Sequence, residues 1–174
     1  EYEFIELYNN SDEDIELNGW VLSSTNIHFT FGHEVINAHD YLVLARNSHI
    51  YENSIDHHGG SLWNNEDSLS LYTAHGACID IVYYYDCCGW PVNADAYGPS
   101  LELVNPSFDN NNPQSWQASE NINGTPDTQA ISNYLEKYPL ESQNLIEEEL
   151  IDFDYDFIIS DFVPEAFNIA KQKN

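Results

Sequence analysis

Turn-forming clusters interrupt this chain so often that no long helix fits in its first 128 residues. Phe4-Ile5-Glu6-Leu7-Tyr8 is stopped by Asn9-Asn10-Ser11-Asp12, and Ile15-Glu16-Leu17 runs through Asn18-Gly19 into Trp20-Val21-Leu22. His28-Phe29-Thr30-Phe31 ends at Gly32, and Tyr41-Leu42-Val43-Leu44-Ala45 is an apolar run of strand length. Ser68-Leu69-Ser70-Leu71-Tyr72 alternates strictly, turns at Ala74-His75-Gly76 and returns as Cys78-Ile79-Asp80-Ile81-Val82-Tyr83. Short strands at such spacing predict an all-β antiparallel sandwich.

The 174 residues suit one domain with a tail, and 42% apolar and 14% aromatic content supplies a core. Charge sets the exclusions. Four basic against 30 acidic residues give −26, which repels phosphate, so neither nucleic acid nor an anionic membrane is an expected partner. No stretch approaches the ~20 apolar residues of a membrane span, so no membrane insertion is expected. The sequence contains no Met and no basic, apolar signal segment, as expected of a processed product or an excised piece.

Pattern and charge change near residue 128. Residues 1–128 carry −19, with Arg46 as their one base; residues 129–174 carry −7, with Lys137, Lys171 and Lys173. The division predicts a sandwich over 1–128 and an acidic C-terminal extension over 129–174. Within the extension, 130–150 reads as a short helix around Tyr134-Leu135-Glu136-Lys137-Tyr138, broken at Pro139. Beyond it Ile151, Phe153, Tyr155, Phe157 and Ile159 alternate with Asp152, Asp154 and Asp156, the period of a strand with one buried face.

Several ordered motifs resemble a known family. Glu3 to Asn10, Ile15 to Ser23 and Val35 to Ala45 are followed by Gly98-Pro99-Ser100-Leu101-Glu102-Leu103, Trp116 and Gly124-Thr125-Pro126. Together they resemble bacterial lamin-tail domains. The resemblance implies an immunoglobulin-like antiparallel β-sandwich, usually a non-catalytic module of secreted or surface proteins. Such domains usually begin with a further strand of the type apolar-Ile-Asn-Glu-Ile, which is absent here. A sheet lacking it would keep an unpaired edge and a groove. The segment 151–159 is the candidate to fill that groove, within its own chain or by insertion into a neighbour, unless it packs elsewhere. Val163-Pro164-Glu165-Ala166-Phe167-Asn168-Ile169-Ala170 through Asn174 resembles the lead-in to a type IX secretion sorting domain. With the absence of Met, that favours an extracellular, cell-surface location.

Chemistry-bearing residues are sparse. Cys78, Cys87 and Cys88 fit neither a zinc set nor Cys-x-x-Cys. In an extracellular chain Cys78 is expected to bridge to Cys87 or Cys88 across a hairpin, a vicinal Cys87–Cys88 bridge being the rarer alternative. His33-Glu34 and His39 lack the spacing of a zinc-protease helix, and His57-His58 read as surface loop residues. No cofactor is called for; Asp12-Glu13-Asp14 and Asp109-Asn110-Asn111-Asn112 offer oxygens of the kind calcium takes, in segments where turns use the same residues. Asn9 and Asn123 head glycosylation triplets. No nucleophile elbow or phosphate-binding glycine loop is present, so an enzyme is not expected.

Trp20 and Trp116 fall on the family's motif positions, as core. Trp63 and Trp90, among Asn, Gly and Pro, read as exposed ligand contacts, with Tyr83-Tyr84-Tyr85 as further stacking surface. The expected function is a non-catalytic structural or interaction protein that associates with itself or other surface proteins, assembling into oligomers or filaments by donor-strand exchange. The alternative is an accessory glycan- or partner-binding module of a secreted multidomain enzyme.

Overall fold

The computed structural model describes residues 2–51, 53–95, 98–124 and 126, and the backbone of 157–162. Twelve strands are placed, and among the described residues the one helical element is a single 3-10 turn, Pro113–Ser115. Asn112 caps that turn by accepting from the Gln114 N–H. The strands are β1 (Phe4–Asn9), β2 (Ile15–Glu16), β3 (Val21–Ser23), β4 (His28–Thr30), β5 (Val35–Ile36) and β6 (Tyr41–Ala45). There follow β7 (Ile55–Asp56), β8 (Glu66–Tyr72), β9 (Cys78–Tyr85), β10 (Leu101–Leu103), β11 (Trp116–Ala118) and β12 (Phe157–Phe162). Each of the first strands matches an apolar or alternating run and ends at a turn cluster.

They form a six-stranded sheet, β11-β10-β12-β1-β6-β7, a four-stranded sheet, β4-β3-β8-β9, and the small ladder β2-β5. All pairs are antiparallel except β6–β7. The two large sheets share one core: Ile5, Leu7, Leu44, Leu101 and Trp116 from one meet Leu22, Leu69, Leu71, Val82 and Tyr84 from the other. This is an immunoglobulin-like β-sandwich, held by apolar burial between layers. On the outer face of the six-stranded sheet, Phe4, Val43 and Ala45 make a second cluster, with Tyr51 edge-on to Phe4 at 5.2 Å. Every residue of β1 is therefore buried.

The tail supplies a central strand. β12 lies between β1 and β10, pairing Phe157 with Asn9, Ile159 with Leu7, and Phe162 with both Ile5 and Leu101. Its described residues are Phe157–Phe162, so of the five alternating positions Phe157 and Ile159 fall in it. Ile151, Phe153 and Tyr155, the helix expected over 130–150 and the end from Val163 lie outside the described residues. A register shift between Glu6 and Leu7 skips Ser160, so Phe162 takes the place beside Ile5 that strict alternation would give Asp161.

Candidate functional site

Period two in β9 places Tyr83 and Tyr85 on one face and Tyr84 on the other. Tyr84 is 1% exposed in the core, while Tyr83 and Tyr85 are 47% and 40% exposed. Across the ladder, Ser68 pairs with Tyr83 and Glu66 with Tyr85. Trp63, in the loop before β8, is 50% exposed and closes one side. With Thr25 and Asp67 these residues line an open cleft of about 320 Å³.

The backbone of Trp63 is fixed from within. Its carbonyl accepts from the Tyr84 hydroxyl at 2.6 Å, and its N–H donates to Asp67 at 3.4 Å. Asp67 also accepts from the Thr25 N–H at 3.1 Å, the Thr25 hydroxyl at 2.6 Å and the Ser68 N–H at 2.8 Å. Burial, with the charges of Asp67 and Glu3, raises the Tyr84 phenol far above its ordinary range, so it stays a donor. Gly60, at φ +78°, lies against the Asn26 carbonyl where any Cβ would collide, seating the same loop on the Thr25 turn.

Beneath that loop sits a buried acid–imidazole pair. Glu3 and His57 side chains are both 0% exposed, with Glu3 Oε1 at 3.7 Å from His57 Nε2. Glu3 accepts from the Leu62 N–H at 3.1 Å. Burial pushes its carboxyl up to about 7, against the opposing pull of that N–H and of Arg46, and burial lowers His57. His57 Nδ1 faces the Gly59 carbonyl at 3.0 Å, which can only accept, so the neutral ring carries its proton on Nδ1. His57 is therefore a core residue and not the surface residue its Gly-rich surroundings suggested; His58 is exposed.

Other expected positions are redistributed. Trp90 is 5% exposed and packs on Trp116 at 5.8 Å, so it cannot be a surface contact. Trp20 packs at the core edge, and Trp116 donates to the Asn110 carbonyl at 2.8 Å. Cys87 and Cys88 are bonded to each other, and Cys78 is an exposed free thiol. The hairpin bridge fails for a geometric reason. Cys78 opens the eight-residue strand that leads to Cys87, so the two stand over ~20 Å apart, whereas a disulfide needs Cα atoms within about 7 Å.

The two acidic loops tie the fold together. Asp14 accepts from the Ala38 N–H at 3.0 Å, and Asp12 lies 2.9 Å from the His39 ring. Asn110 donates to both oxygens of buried Asp80. Asn111 accepts from the Tyr83 N–H at 3.0 Å and donates to the Ile81 carbonyl at 2.8 Å, closing part of the outer edge of β9. Among the described residues no three His, Cys, Asp or Glu side chains gather as a metal site, and no helix is long and apolar enough to cross a membrane. Asn9 is 0% exposed, its amide donating to the carbonyls of Glu13, Ile36 and Asn37, so the folded chain closes that glycosylation triplet.

The family model of the lamin tail domain matches residues 1–86, the stretch that holds β1 to β9 and the whole cleft. Residues 1–86 are a lamin tail domain. The family is immunoglobulin-like and non-enzymatic, a structural or interaction module. The match stops before Cys87, so the motifs at Gly98 to Leu103, at Trp116 and at Gly124 lie beyond it. No curated protein matches the chain.

Proposed function

We propose that this lamin tail domain chain is an interaction module of an extracellular, cell-surface protein that meets its partner with the β8–β9 face. The carrying observation is that three exposed aromatic side chains, Trp63, Tyr83 and Tyr85, gather at one cleft. Exposed rings grouped around a fixed loop mark a contact surface. The extracellular placement is supported by the bridged Cys87–Cys88 pair, since disulfides persist in oxidising compartments, and by the sorting-domain resemblance at the tail. Antibody labelling of intact, unpermeabilised producing cells tests it: labelling at the surface is expected, and signal only after lysis defeats the placement.

A second reading is self-assembly by donor-strand exchange. It is supported by the position of β12, a central strand separated from β11 by residues 119–156, which a neighbouring copy could donate in the same register. Light scattering after size exclusion separates the two. A mass near 20 kDa at all concentrations means each chain keeps its own strand; concentration-dependent oligomers mean exchange.

A further inference from the structure

We infer that the Trp63–Tyr83–Tyr85 cleft is a binding site for a neutral carbohydrate. The inference rests on the interaction-module reading and names its ligand class.

The cleft combines two kinds of chemistry. Its aromatic faces carry negative quadrupole charge, which suits the polarised C–H groups on one face of a pyranose ring. Its polar groups are mostly hydroxyls, those of Ser68, Tyr83 and Tyr85, each able to donate and accept. A sugar presents hydroxyls of the same dual character. A cation presents donors only and would leave half of that capacity unused. Of the two carboxylates, Asp67 is occupied by Thr25, Ser68 and the Trp63 backbone, which leaves Glu66 as the one exposed acid lining the cleft. One carboxylate among three rings and several hydroxyls fits acceptance from a sugar hydroxyl better than an acidic trap for basic peptides.

Charge narrows the class. Glu66 in the cleft and −26 over the chain repel uronic, sulfated and sialylated sugars, so the ligand is uncharged. Size narrows it again: about 320 Å³ is at the small end of ligand pockets, which run from roughly 300 to 1,000 Å³, so one or two sugar units are held and a polymer would pass across the opening. Rigidity completes the argument. Two groups drawn from the core, the Tyr84 hydroxyl and the Asp67 carboxylate, fix the backbone of a tryptophan whose ring is left outside. Fixing the backbone that carries an exposed ring lowers the entropy lost on binding.

Affinity electrophoresis of the full chain in native gels tests this. The gels hold hydroxyethylcellulose, arabinoxylan or galactomannan, with polygalacturonate and an oligolysine peptide as charged probes. Retardation by at least one neutral polysaccharide is expected, weakened tenfold or more in Trp63→Ala, partly restored in Trp63→Phe, and unchanged in Val92→Ala, whose side chain is exposed outside the cleft. The Tyr83→Ala/Tyr85→Ala double variant should lose as much as Trp63→Ala. No retardation by any neutral polysaccharide, or retardation indifferent to Trp63, overturns the inference. Oligolysine binding that depends on Trp63, without neutral polysaccharide binding, also overturns it while leaving the interaction-module reading intact.

Discussion

The two large sheets are built in opposite ways. The four-stranded sheet grows from near neighbours: β3 pairs with β4, β8 with β9, and all four lie in the first half of the chain. The six-stranded sheet collects β1, β6, β7, β10, β11 and β12, and its centre joins the first strand to the last. The sheet with local connections carries the exposed cleft. The sheet with distant connections carries buried Glu3, Glu6 and Glu102 on or beside its strands, while the buried acids of the other, Asp67 and Asp80, are each held by side-chain and backbone donors. The contrast separates two tasks. Local hairpins form without waiting for distant chain, which suits a rigid ligand face. A sheet closed by a remote strand is stable only once that strand arrives, and its stability is adjustable there.

Removing the remote strand should have the largest effect. Deleting 129–174 takes β12 from between β1 and β10 and leaves the facing edges of those two strands without their partner. Loss of most of the domain's stability is expected, several kcal/mol of the ~5–15 such domains have, with aggregation through the opened edges. Urea unfolding with light scattering measures both, and a synthetic peptide spanning 151–162 should restore a monodisperse species. A truncated chain as stable as the full one would show that β12 adds nothing to the sheet.

How much of this could be read in advance follows the same division. Strict alternation in Ser68 to Tyr72 and the Gly76 turn made β8–β9 legible, because a hairpin is a local object. Alternation at Phe157 and Ile159 announced a strand with a buried face, yet period two cannot say which strands flank it. Trp90 and His57 show the second limit. Both stand among Gly, Pro or Asn in irregular backbone, as their neighbours suggested, and both side chains turn inward onto residues distant in sequence, Trp116 and Glu3. Composition reports the path of the backbone better than the destination of a ring. The cleft was half legible: Trp63 and the tyrosine run stood out, whereas Glu66 and Ser68 acquire meaning only through the register that sets them beside Tyr85 and Tyr83.

The buried pair gives the next effect, a dependence on pH. The Glu3 carboxyl is raised from 4.5 to about 7, so its contribution is whole below pH 4.5 and is lost as pH rises through 7. His57 is lowered, so its contribution is present above 6.5 and is lost as pH falls through its depressed value. Both effects favour the neutral pair. Between pH 5 and 8 the Glu3 part should decline by roughly 2.5 kcal/mol. Glu3→Gln should remove that decline, because the amide oxygen still accepts from the Leu62 N–H and the amide N–H can face His57 Nε2. The charge of −26 also weakens the fold as pH rises, so the difference between variant and parent urea midpoints carries the test. Parallel pH profiles would place the Glu3 charge elsewhere, on Arg46 for example.

The four-stranded sheet has its own edge to protect, and does so with a side chain. Asn111 makes two hydrogen bonds along β9, to the Tyr83 N–H and the Ile81 carbonyl, where a further strand would add. Asn111→Ala should cost about 1–2 kcal/mol in urea unfolding. It should also leave the Tyr83 amide open to solvent, seen as faster hydrogen exchange at that position while the amides of β1 stay protected. Uniform loss of protection in both sheets would mean that they unfold as one unit.

The smallest expected effect acts on the junction of the tail with the first strand. Register sets Asp161 opposite Glu6 of β1 on one side and Glu102 of β10 on the other, three carboxylate-bearing residues in one row across the sheet. Like charges directly opposite in neighbouring strands oppose pairing, by tenths of a kcal/mol up to about 1. Leu7 and Ile5 on either side of the register shift are matched with Ile159 and Phe162, so apolar positions of the two strands coincide beside the acidic row. Asp161→Asn relieves the opposition without changing shape, and should raise stability by about 0.5–1 kcal/mol at neutral pH and by nothing where the row is protonated. A gain that persists in acid would have to come from the amide itself. A gain confined to neutral pH would show that the sheet closed by the remote strand is held below its attainable stability by its own charge.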